Sequence, residues 1–118
     1  MSTSVLAPTT IVMGIPGDLA TTSIVRMAMP FSGKITGAYV AVTTASAGAA
    51  ITADLKVGSD VAATFSIAAA ATSDEGTLTA SNCDFNKGDL VALDISGVGS
   101  SGTTGSNITV AFTVTQDN

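Results

Sequence analysis

The side chains of this 118-residue sequence that could do acid–base or nucleophilic work are few: nine carboxylates, one thiol and no histidine. Two carboxylates on one face can hydrolyse a bond, one as acid and one as base or nucleophile. The closest pairs are Asp74-Glu75, Asp84 with Asp89, and Asp89 with Asp94. Residues one or five apart on a strand point to opposite faces, so Asp74-Glu75 and Asp89 with Asp94 do not converge locally. Each reads as a solvated turn carboxylate. Asp54 and Lys56 are two apart, hence same-face neighbours, and read as a surface ion pair of little energetic weight. The absence of histidine removes the commonest general base and the commonest metal ligand together. Cys83 stands alone, so no disulfide forms within the chain, and it reads as a small packing residue. An oxygen-only calcium site would need a loop of closely alternating carboxylates, which the sequence lacks. The stretch Gly97-Val98-Gly99-Ser100-Ser101-Gly102 is rich in glycine but lacks the Gly-Lys-Ser/Thr ending of a phosphate loop, and no helical pattern follows it. It reads as a flexible connection. The sequence therefore offers no catalytic, cofactor-binding or metal site, and the expectation is a protein that is not an enzyme.

Sugar recognition would need exposed ring faces for stacking, and the aromatic residues are only Phe31, Tyr39, Phe65, Phe85 and Phe112. Alternation places Phe65 and Phe112 inward. Tyr39 is the sole amphipathic aromatic, and the expectation for it is a partly buried strand position or a contact with another subunit.

Composition narrows the partners. The chain is 46% hydrophobic but 4% aromatic and 11% charged, so its apolar mass is aliphatic and its charge content is less than half the usual ~25%. Such a surface is covered by Thr, Ser, Gly and Ala, or by other proteins. A net charge of −5 with only four basic residues, Arg26, Lys34, Lys56 and Lys87, argues against a nucleic-acid partner, because phosphate binding rests on clustered Lys and Arg. No basic segment precedes an apolar one, so a secretory signal is not expected. The apolar run from Ile11 to Ile15 is interrupted by Gly14, Pro16 and Gly17 and is too short to span a bilayer. The expectation is a soluble protein made in a cytoplasm, with no membrane partner.

These residues must be positioned by strands. Period-two alternation is the clearest signal, and β-branched residues are abundant. Ile51, Ala53, Leu55 and Val57 alternate with Thr52, Asp54 and Lys56. After Gly58-Ser59-Asp60, Val61, Ala63, Phe65 and Ile67 share a face, predicting a hairpin. A strand over 35–43 buries Ala38, Val40 and Val42. A less regular one over 22–29 ends at Pro30, because proline cannot donate to a sheet ladder. The turn Asn86-Lys87-Gly88-Asp89 leads into a strand with Val91, Leu93 and Ile95 on one face. The last strand sets Ile108, Val110, Phe112 and Val114 inward. Segments 45–50, 68–73 and 97–106 read as loops, the alanine run at 68–71 being too short and unpatterned for a helix. One domain of this length buries enough surface for a core of its own. Strands every 8–12 residues with turns between them predict an all-β antiparallel sandwich, a jelly roll of about eight strands.

The first twenty residues look different. Ile11, Val12, Met13 and Ile15 show no regular alternation and read either as a free tail or as an arm that pairs with a neighbouring subunit. The division expected is an N-terminal arm over 1–20 and a sandwich domain over 21–118. Protein contacts are expected at Ile11, Val12, Met13, Ile15 and Tyr39.

The stretch from Phe85 through Lys87-Gly88-Asp89 to Ser100, followed by Asn107-Ile108-Thr109-Val110-Ala111-Phe112-Thr113-Val114, resembles the C-terminal half of small jelly-roll virion proteins of tailed phages. The hairpin at Gly58 and the segment Gly33-Lys34-Ile35-Thr36-Gly37-Ala38-Tyr39-Val40 look like the matching upstream strands. A Lys-Gly-Asp turn before an apolar strand also occurs in other trimeric jelly rolls. The resemblance implies a structural protein that trimerises, of the capsid decoration, cement or head-fibre type. It implies a homotrimer, with major capsid protein or other virion subunits as partners, at the virion surface after synthesis in the host cytoplasm. No fibre shaft, heptad or collagen-like repeat precedes the domain, which favours decoration. The alternatives are a receptor- or glycan-binding knob, which needs Tyr39, Phe31 and Phe85 to converge on the surface, and a tail or baseplate subunit.

Overall fold

A computed structural model describes residues 8–116. Their strands are β1 Thr9–Asp18, β2 Ile24–Ala28, β3 Gly33–Thr44, β4 Ile51–Val57, β5 Asp60–Ile67, β6 Ser73–Glu75, β7 Thr77–Leu78, β8 Asp84–Phe85, β9 Leu90–Gly97 and β10 Ser106–Gln116. One 3-10 turn, Ala80–Asn82, is the only helical element among the described residues. All strand pairings are antiparallel. One sheet runs β1-β10-β3-β6, with β8 also on β3, and the other runs β2-β9-β4-β5-β7. With the two-residue strands β7 and β8 set aside, eight strands wind between two four-stranded sheets as two Greek keys, the jelly-roll arrangement. The expected all-β antiparallel sandwich is the one observed, with ten strands because β7 and β8 are added.

The inward faces follow from alternation. Ile51, Ala53, Leu55 and Val57 are buried, as are Val91, Leu93 and Ile95, and Ile108, Val110, Phe112 and Val114. Thr52, Asp54, Lys56, Thr109 and Thr113 stay outside or half outside. The core is aliphatic, with Phe85 and Phe112 as its two most enclosed rings.

Two bulges reset the alternation. In β3, Gly37 pairs with Thr113 and Ile35 with Val114, leaving Thr36 unpaired, so both Ile35 and Ala38 point inward although three residues apart. In β5, Ala63 pairs with Leu55 and Val61 with Lys56, leaving Ala62 unpaired. Val61, expected inward, therefore shares the outer face with Lys56 and is half-buried, while Ala62 is fully buried. The carbonyl freed at Ala62 accepts the Thr79 N–H at 2.8 Å.

The N-terminal expectation is corrected over its second half. Thr9–Asp18 is an integral strand that pairs with β10 from Thr9↔Val114 to Ile15↔Ile108. Met13 and Leu19 are core residues, so the sandwich begins well before residue 21. Ile11, Met13 and Ile15 do alternate with Val12 and Gly14; Pro16 and Gly17 hide the pattern by ending it in a register shift before Asp18. Proline is tolerated there because β1 is an edge strand. Gly17 adopts φ 81°, and its N–H donates to Asn107 Oδ1 at 2.7 Å. Residues 1–7 of the expected arm lie outside the described residues.

Loops 45–50, 68–72 and 98–105 lock together at one end. Ala70 N–H donates to the Ser46 carbonyl (2.8 Å), Ala47 N–H to that of Thr103 (3.0 Å) and Ser100 N–H to that of Ala47 (2.8 Å). The alanine run is a turn with Ala70 at φ 69°, so it forms no helix.

Candidate functional site

Three of the carboxylates singled out in the sequence are engaged within the turns and sheets. Asp74 accepts the Ser66 N–H at 2.9 Å, and Asp89 closes its own turn by accepting the Asn86 N–H at 2.8 Å. Lys56 Nζ reaches Asp94 Oδ2 at 3.0 Å. The expected Asp54–Lys56 pair is thus replaced by a diagonal cross-strand pair, because β9 lies beside β4 and brings Asp94 directly opposite Asp54. Cys83 is buried, its thiol donating to the Thr79 carbonyl at 3.3 Å, and burial pushes its pKa up. That environment favours the protonated thiol over the nucleophilic thiolate. Among the described residues no three His, Cys, Asp or Glu side chains are grouped as metal ligands, and no helix is long and apolar enough to cross a membrane.

What the fold assembles instead is surface. On the outer face of the β1-β10-β3-β6 sheet, pairing sets Val12, Ala111, Tyr39 and Glu75 side by side in one row across four strands. Gly14, Thr109, Ala41 and Ser73 form the next row. Val12 is 63% and Tyr39 56% exposed, and Glu75 is the sole charge in the two rows. The Glu75 carboxylate beside Tyr39 favours the protonated phenol, by hydrogen bonding and by charge, so the phenol pKa is raised above its ordinary value. Below the first row, the missing side chain of Gly14 helps open a shallow groove lined by Gly14, Ile15, Pro16, Asn107, Ile108 and Thr109. The opposite outer face is different in kind: exposed Ile24 and Leu90 flank the Lys56–Asp94 pair and Arg26.

The expected contact residues divide accordingly. Val12 and Tyr39, distant in sequence, share one exposed face with Ala111 between them. Met13 is packed in the core, and Ile11 and Ile15 point inward beside Phe112 and Ile108 and are half-buried. Ala111, which joins Val12 to Tyr39, went unnoticed as a contact residue in the sequence because only the strand order places β10 between β1 and β3. Tyr39, Phe31 and Phe85 do not converge. Phe85 is buried and Phe31 packs on it with ring centroids 5.9 Å apart, at the start of β3, whereas Tyr39 lies at its middle on the outer face.

No family model matches the chain, and no curated protein matches it. Among solved structures, the chain is similar to one in the cyanophage Pam1 capsid asymmetric unit, with a TM-score of 0.58 and 15% sequence identity over 93% of this chain and 84% of that one. At that identity the likeness is one of fold, and it extends over nearly the whole of both chains.

Proposed function

We propose that this chain is a non-enzymatic structural subunit of a phage virion, a capsid decoration or cement protein that binds the outer shell as a homotrimer. The observation that carries the reading is the jelly-roll fold, matched over nearly its full length by a chain of a capsid assembly. The surface supports it: the two rows across β1, β10, β3 and β6 carry one charge, Glu75, and mostly small side chains, the kind of face that desolvates at low cost against another protein. The exposed tyrosine in the first row suits an interface anchor, with a large apolar ring and a polar tip. The mechanism is mechanical. Each subunit bridges neighbours on the shell, and linking several copies in one oligomer raises the effective concentration of every further contact.

The test is titration of the purified chain onto shells that lack it. Saturation at a fixed number of copies per shell, weakened by Val12→Asp and Tyr39→Ala, is the expected result. A chain that ignores shells and binds tails, cells or glycans instead overturns the reading.

A further inference from the structure

We infer that copies of this chain associate through the flank of the sandwich formed by the edge strands β1 and β2. Both strands lie at sheet edges on the same side of the molecule. Their inward-pointing residues Ile11 and Ile15 on β1, and Val25 and Met27 on β2, pack against the core yet remain partly exposed, because no strand stands beyond them. The other flank is closed: β6, β7 and β8 are two or three residues long, the 3-10 turn lies alongside β5, and Gly76 packs against the buried ring of Phe65.

Proteins normally blunt an exposed edge with charge, shortness or proline. β2 is five residues long and carries Arg26 at its centre. β1 is ten residues long and uncharged from Thr9 to Gly17, and its single proline sits near its end. It is the one long, unguarded edge among the described residues. Whatever covers the flank must bring aliphatic side chains and little charge, and between them β1 and β2 carry only Asp18 and Arg26. A second copy of the same flank does both, and rotational symmetry closes copies into a ring when the β1 side of one meets the β2 side of the next. The size fits as well. The ten residues of β1 span about 34 Å and the five of β2 about 17 Å, so with each edge covering half of a depth of about 20 Å the flank offers on the order of 500 Å2 per copy, enough for the ~1,000 Å2 in total that a specific interface needs.

The inference deepens the oligomeric part of the proposed role and stands apart from capsid binding. Light scattering of the purified chain across a concentration series tests it, with Ile15→Lys and Met27→Lys on the flank and Thr64→Lys on the exposed face of β5 as control. A lysine stem lies along apolar surface with its charge in water, so a half-exposed site accommodates it in the free chain; thermal melts verify folding, and Ile15→Ala with Met27→Ala replaces any lysine variant that fails to fold. The expected result is a wild-type mass that is a multiple of the chain mass, retained in the control, with association weakened about tenfold or more in the flank variants. A monomeric wild type, or flank variants with unchanged mass, overturns it. A monomer that still binds shells, and loses that binding on flank substitution, overturns self-association while leaving the proposed function in place.

Discussion

At the residue scale, Tyr39 is informative because it is the only tyrosine in a chain without tryptophan. The neighbouring Glu75 carboxylate favours the protonated phenol over the phenolate. An ultraviolet titration of the folded protein is expected to give a midpoint above the ordinary value of about 10, and Glu75→Gln is expected to bring it back down. The same midpoint in both proteins would refute the pairing. The sign for folding follows: the raised folded-state pKa means that the contact contributes below the unfolded value and is lost as pH rises through the folded one. Gly33 is a second case where one side chain matters. A Cβ there would run into the Thr115 carbonyl and the Phe85 ring, so β3 can begin only where the residue has none.

At the element scale, ion pairing in a sheet is decided between strands. Asp54 and Lys56 look like partners along β4, yet Lys56 bonds Asp94 on β9, and Asp54 is left directly opposite Asp94 on the same outer face. Like charges directly opposite in a sheet destabilise it by about 0.2–1 kcal/mol. Asp54→Asn is therefore expected to raise the melting temperature slightly, more at low salt than at high, since screening already weakens the repulsion. A loss of stability at low salt would show that Asp54 also draws on Lys56. The bulges at Thr36 and Ala62 act at the same scale, each turning the following residues to the other face.

At the scale of the whole molecule, the first and last long strands are neighbours. β1 lies on β10, so the sheet closes only when residues near the two ends of the chain meet. A chain starting at residue 21 would lose β1, the Met13 side chain and the cover over Ile108, Val110 and Phe112. Removing that much buried surface and a full ladder of backbone hydrogen bonds is expected to abolish cooperative thermal unfolding, as followed by circular dichroism. Cooperative melting of the shortened chain near the wild-type temperature would mean that the sandwich folds without β1.

The strands β2 to β5, β9 and β10, the hairpin at Gly58 and the aliphatic core were legible in the sequence, whereas the short β6, β7 and β8 were not, because a side chain's face on a strand depends on local period alone and Ile51–Val57 and 108–114 keep that period without interruption while two or three residues show none. The scarcity of catalytic groups was legible for a similar reason, since residue types need no fold to be counted. Pairing between distant strands has no local signature. Only the tertiary structure therefore turned the irregular segment at Ile11 to Ile15 into a strand, moved Met13 into the core, exchanged Asp54 for Asp94 beside Lys56, and set Val12 and Tyr39 on one face with Ala111 between them. Each of these depends on which strand lies next to which and on where a bulge shifts the register, and those are settled by burying both sheets against each other at once.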